Sequence, residues 1–174
     1  MKIGMGMRRN AGWALVVVGA ALFQTTWMDA IRLLGATPDL AILLVVFFAL
    51  VDGEERAMYT GLLSGVFQDV AGDVVLGHHV LALVLVAYAA GRFTKRLVTD
   101  HPGVKVLLVF IASLLYGVLF TFILFVQQPQ IPAFGMILTR VIPGAFYTAL
   151  GTPIVFLLLD RLFARWLVPR GANV

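Results

Sequence analysis

Val106 to Val126 reads VLLVFIASLLYGVLFTFILFV, 21 residues with no charged side chain. As a helix rising 1.5 Å per residue it is about 31 Å long, which matches the ~30 Å hydrocarbon core of a bilayer. Lipid is therefore the solvent against which the rest of the chain is read, and the composition agrees. Of the 174 residues 61% are hydrophobic and only 13% charged, and the mean hydropathy is +0.98. A soluble domain of this size has too much surface per volume to hide that apolar excess. There are no cysteines, so disulfides, thiol chemistry and cysteine-ligated metal are excluded. The net charge of +4 does not point to nucleic acid, because the basic residues cluster at the ends of apolar runs, where headgroups and topology signals place them.

Working outward from this span, the upstream chain repeats the pattern less cleanly. Ala11 to Met28 is apolar and ends near Trp27, an interfacial aromatic beside Asp29 and Arg32. Lys2, Arg8 and Arg9 ahead of it imitate a secretory signal, but no small-x-small cleavage site follows, so it is read as an uncleaved first span. Pro38-Asp39 opens a second run through Val51. Proline suits a first helical turn, and an acid there complements the helix dipole. The third run, Ala57 to Val70, is short and mixed. The fourth covers Val80 to Gly91 and starts as early as Leu76, after a Gly- and Asp-rich loop. Arg92 to Lys105 is a basic loop. Downstream, Gln127 to Pro132 is a polar turn, and a sixth run from Val141 to Asp160 is broken by Pro143 and Pro153. The expectation is a single polytopic all-α membrane domain over residues 1–174. It is a bundle of six transmembrane helices at about 11–28, 38–51, 57–70, 76–91, 106–126 and 141–160, with the second to fourth short.

The charges test that count. With a cytoplasmic amino terminus and six crossings, eleven of the 13 Lys and Arg residues fall inside, and only Arg32 and Arg140 fall outside. Cytoplasmic loops of membrane proteins carry such an excess. Losing one short span would move Arg92, Lys95 and Arg96 to the outer side. The reading is therefore a multi-pass protein of the bacterial cytoplasmic (inner) membrane with both termini cytoplasmic.

Candidate chemistry is sparse. Gly61 and Gly65 make a small-xxx-small pair with Ser64 beside it, which lets helix backbones approach closely. The crossing is either internal or a partner-binding face. Asp69 and Gln68 lie near the outer end of the same run. An ionisable group at mid-membrane costs about 3 kcal/mol or more, so a buried one implies a partner, a cap or a function. His78 and His79 near Asp69 and Asp73 raise a metal hypothesis, but adjacent residues on a helix point about 100° apart and chelate one ion poorly, so no metal is expected. Asp39, Arg140 and Asp160 read equally well as helix-end electrostatics. No nucleophile–base pair, phosphate-cradling loop or metalloprotease helix occurs. Neither a catalytic site nor a cofactor is expected.

Taken in order, Pro38-Asp39-Leu40, the stretch Gly61-Leu62-Leu63-Ser64-Gly65-Val66-Phe67-Gln68-Asp69, Leu76-Gly77, and Leu83 through Gly91-Arg92 resemble the rod shape-determining protein MreD family. The close resemblance covers about a third of the chain, and hydropathy and span number fit over the rest. It implies a non-enzymatic scaffold subunit of the machinery that organises lateral peptidoglycan synthesis and cell shape. The implied partners are an MreC-like bitopic membrane protein and, through it or directly, RodA, a class B penicillin-binding transpeptidase and MreB. Pro38, Asp39, Gly61, Ser64, Gly65, Asp69, Gly77, Gly91 and Arg92 are the corresponding helix-packing or partner-binding candidates. The family is also distantly similar to the six-helix S-components of energy-coupling-factor transporters, so the alternative is a subunit that binds a vitamin or metal. The few polar groups in the short outer loops (Asp69, Asp73, His78, His79, Gln127, Gln128) favour the scaffold. Asp69→Asn is expected to be mild in a scaffold and severe in a solute or proton site.

Overall fold

Leu40–Val51 is the element around which the others are arranged. The computed structural model describes residues 2–27 (side chains from Asn10 onward), 37–72, 77–95 and 101–163. Within these residues α1 is Lys2–Trp27, α2 Leu40–Val51, α3 Glu54–Ala71, α4 His78–Thr94 and α5 Pro102–Gln127. The sixth rod, α6, joins Ala133–Met136, a π-helical segment Ile137–Val141 and Ile142–Phe163. No strand occurs among the described residues. Every residue of α2 from Ala41 to Ala49 is buried. A helix that is apolar all round must be enclosed all round, and α2 is packed by the other five helices. Phe47 and Phe48 stand edge to face at 5.4 Å, and Phe47 meets Phe156 of α6 in the same way.

The rods alternate in direction. The upper end of the bundle carries the ends of α1, α3 and α5 and the starts of α2, α4 and α6. The lower end carries the start of α5 with the ends of α4 and α6, and there Lys95 Nζ donates to Glu54 Oε2 at 2.7 Å. Arg56 donates to Asn10 at 2.7 Å and lies over the Trp13 ring at 5.0 Å. Arg56, Arg92, Lys95, Lys105 and Arg161 all sit toward this lower end, while Arg140 lies toward the upper one. Asp73, Leu76, Arg32, Arg96, Arg165, Arg170 and the side chains of Lys2, Arg8 and Arg9 lie outside the described residues.

Among the described residues two helices are long and apolar enough to cross a membrane: Pro102–Gln127, of 26 residues, and Ala133–Leu162, of 30. By contrast α2, with 12 residues, is only ~18 Å long. The sixth rod corrects the expected span at 141–160. It starts eight residues earlier, at Ala133, so Arg140 belongs to the helix and not to an outer loop. Nor do Pro143 and Pro153 break it. Proline removes a donor and crowds the carbonyl four residues back. For Pro143 that carbonyl is on Thr139, inside the wider π segment, where the turn has room for the ring.

Candidate functional site

Asp39 begins α2 in the middle of the protein, and that placement creates a problem. The first N–H groups of any helix lack intrahelical partners, and away from water each needs an acceptor supplied by the protein. Asp39 adopts extended backbone as the N-cap, and its Oδ1 accepts from Ala41 N at 2.9 Å and Ile42 N at 3.4 Å. Gln24, three residues from the end of α1, adds a second cap: its Oε1 accepts from Leu40 N at 3.0 Å and Ala41 N at 3.2 Å. Its Nε2 donates to Asp39 Oδ1 at 3.2 Å.

The network continues from this cap through every remaining helix. Gln68 of α3 donates to Asp39 Oδ1 at 3.4 Å and accepts from Tyr116 OH of α5 at 3.1 Å. Because the tyrosine's single proton goes to Gln68, Nδ1 of His79 is the donor in its 2.5 Å contact with that hydroxyl. The His79 ring also stacks on Phe120 at 4.5 Å. On α6, Thr148 Oγ1 accepts from Asp39 N at 3.0 Å and donates to Gly144 O at 2.8 Å. Each of the six helices thus places one side chain, or a cap, in a single hydrogen-bonded hub.

The hub lies near the upper ends of α1 to α4 but well inside α5 and α6. Tyr116 is some eleven residues short of the end of α5 at Gln127, ~16 Å, and Thr148 lies ~22 Å from the start of α6 at Ala133. Its depth explains why the hub is polar: short helices that stop within the protein need partners that long ones find at the surface.

Asp69 performs the same service for α4. Gly77, at its N-cap, has φ +103° and no side chain to accept a bond. Asp69, on the last turn of α3, supplies both oxygens instead. Oδ2 accepts from Gly77 N at 2.9 Å and Val80 N at 3.2 Å, and Oδ1 accepts from His79 N at 3.0 Å. The seam below is equally close. Side chains built on Gly61 and Gly65 would run into Leu83 and Val80 of α4, and one on Gly91 would run into Glu54 of α3. The small-residue face is therefore an internal crossing. Ser64 is buried within it, its hydroxyl without a hydrogen-bond partner, beside a void of about 10 Å³ bounded also by Gln24 and Gln68. That is room for about one water molecule.

The remaining candidates scatter. Pro38 precedes the Asp39 cap and is half-buried. Arg92 is exposed at the lower end and folds back on its own helix, its guanidinium bonded to Tyr88 OH at 3.1–3.2 Å. His78 and His79 engage different neighbours, the former lying 2.6 Å from the Gln127 amide. No group of three or more potential metal ligands occurs among the described residues. Sequence reasoning missed Gln24, Tyr116 and Thr148. It also missed Gly117, which lies against the Val141 side chain of α6.

The family model for the rod shape-determining protein MreD matches residues 7–163. The chain belongs to the MreD family. The match spans all six helices and extends over the carboxy-terminal third, where the sequence resemblance rested on hydropathy. Membership identifies a membrane-associated protein of a structural family for rod-shape determination. No curated protein and no solved structure matches the chain. In this MreD-family chain the hub is expected to be structural, and Tyr116→Phe tests it. The change removes one hydroxyl and leaves Gln68 Oε1 and His79 Nδ1 unpaired in a half-buried site, a loss of about 1–3 kcal/mol. Thermal unfolding in detergent should show a lowered midpoint, and an unchanged midpoint would mean that the hydroxyl contributes nothing to the hub.

Proposed function

We propose that this chain is a non-enzymatic scaffold of the bacterial elongation machinery, a single polytopic domain that binds an MreC-like bitopic membrane protein and helps organise lateral peptidoglycan synthesis. RodA, a class B transpeptidase and MreB are then reached through that partner or directly. The hub is the observation that most favours the scaffold over the vitamin- or metal-binding alternative. Its polar groups are spent on one another and on the N–H groups of α2, Asp69 is spent likewise on those of α4, and the void beside the hub holds about 10 Å³. A small-molecule site needs ~300 Å³ or more with polar groups left free for the ligand. The glycine seam is used internally, so the partner is expected on another face.

The proposed setting is the cytoplasmic membrane, crossed by six helices with both termini inside. The basic side chains gathered at the lower end support this orientation. A periplasm-active reporter fused after Gln128 should be active and one fused after Lys95 silent. Activity at Lys95 would remove the six-helix topology. In a rod-shaped host, deletion of the chain should give rounded cells with unchanged vitamin and metal uptake. The bitopic partner should co-purify in mild detergent. Stoichiometric vitamin or metal on the purified protein, from cells that stay rod-shaped without it, would favour the alternative instead.

A further inference from the structure

At the lower end, the first turn of α5 and the last turns of α6 enclose a groove of about 430 Å³. Lys105, Asp160 and Arg161 stand along it with Phe156, Pro153 and Thr152. The three charged side chains form no ion pair or hydrogen bond among the described residues. Thr152 is 1% exposed, yet its Oγ1 has no hydrogen-bond partner, so a polar donor is buried in a wall that is otherwise apolar. From Asp160 to Thr152 the groove rises two turns along α6, ~12 Å.

We infer that this groove binds one phospholipid, its phosphodiester held by Lys105 and Arg161 and an acyl chain laid along Phe156 and Pro153. The charges select the headgroup. Two cations and one carboxylate leave a single net positive charge, which matches the one negative charge of a phosphodiester. The start of α5 adds partial positive charge on the same side. Charge-assisted contacts to phosphate are among the stronger hydrogen bonds. The volume lies within the range of small-ligand sites and suits part of one lipid chain. In the proposed orientation the rim lies at the cytoplasmic leaflet, where lysine and arginine meet headgroups.

Native mass spectrometry of the delipidated full chain in non-ionic detergent, titrated with dioleoyl phosphatidylglycerol, tests the site. One lipid per chain is expected. Lys105→Ala with Arg161→Ala should weaken binding at least tenfold, while Lys105→Arg with Arg161→Lys should retain it. Leu157→Trp, at a half-exposed position on the groove wall, should weaken binding with the rim charges intact, so the test survives if the double alanine variant fails to fold. Equal binding of dioleoylglycerol, which lacks the phosphate, would overturn the proposal in favour of nonspecific apolar contact. Displacement of the lipid by inorganic phosphate would overturn it in favour of a water-soluble anion site. Unchanged binding in Leu157→Trp and in whichever charge variant folds would also overturn it. Because the groove lies apart from the hub, its failure leaves the scaffold reading untouched.

Discussion

Gly65→Leu is expected to strip the protein from the membrane. A Cβ at this position would lie 2.5 Å from Val80 Cα and 2.7 Å from Val80 N. These are backbone atoms of a neighbouring helix, so no side chain can swing aside. The helices must separate, and a separation here is not local. Val80 N is also a donor to Asp69 Oδ2 at 3.2 Å, so moving α4 away from Gly65 pulls its first turn off its cap. One level down, Gly61 faces Leu83 O, which a Cβ would approach to 2.9 Å. Overpacking alone costs about 1–3 kcal/mol and sometimes more, and a lost buried cap bond adds about 1–3 kcal/mol. Against a total stability of ~5–15 kcal/mol, the sum of about 2–6 kcal/mol removes a large share of the margin that keeps the chain folded. Membrane-fraction abundance and the unfolding midpoint in detergent both read the effect. Gly19→Ala is the control, because a Cβ there meets nothing within 4 Å and alanine stabilises a helix interior by up to ~1 kcal/mol. Normal abundance of Gly65→Leu with loss of the bitopic partner would mean that the seam is a binding face.

The same residues show what a sequence of this kind reveals. Apolar blocks betray helices because lipid demands them, and all six rods were visible as blocks. Their limits were less visible where polar residues sit inside a rod. Arg140 and Pro143 look like loop punctuation, yet an exposed arginine on a long helix can reach toward the headgroups, and a π turn accommodates the proline. The centrality of α2 had a signal that went unused: Leu40–Val51 contains no polar residue, so it has no face to turn outward. Asp39 and Asp69 stood out because charges are rare in such helices. Their partners did not. Gln24 and Thr148 meet Asp39 directly, and Tyr116 reaches it through Gln68, only because three helices of different length are aligned in depth, and depth is set by packing. Tyr116 carried the one clue, a hydroxyl midway along the cleanest apolar span, where it needs a partner.

Asp69→Asn is expected to destabilise the fold severely, against the mild outcome that an isolated helix-end contact would allow. An amide replaces a carboxylate well when only one oxygen is used. Here both are: Oδ2 accepts from Gly77 N and Val80 N, and Oδ1 from His79 N. Asparagine keeps one acceptor and turns an NH₂ group toward backbone N–H donors. Donor then faces donor at a position where Asp69 is only 3% exposed, and water cannot intervene. At least one N–H is left unpaired at about 1–3 kcal/mol, more because a charged acceptor has been lost. Asp69→Ala removes all three bonds from the start of α4 and is expected to be worse. Gly77 has no side chain to take over, since its φ of +103° suits glycine and disfavours the usual capping residues. The asparagine variant therefore does not separate scaffold from solute binding, because both readings now predict loss. The deciding measurement is the site of the loss. In a structural role the unfolding midpoint and amide-exchange protection of residues 77–81 fall together with abundance. A variant that stays folded with full protection there, yet fails to maintain rod shape, would show that the carboxylate's charge serves something other than the cap.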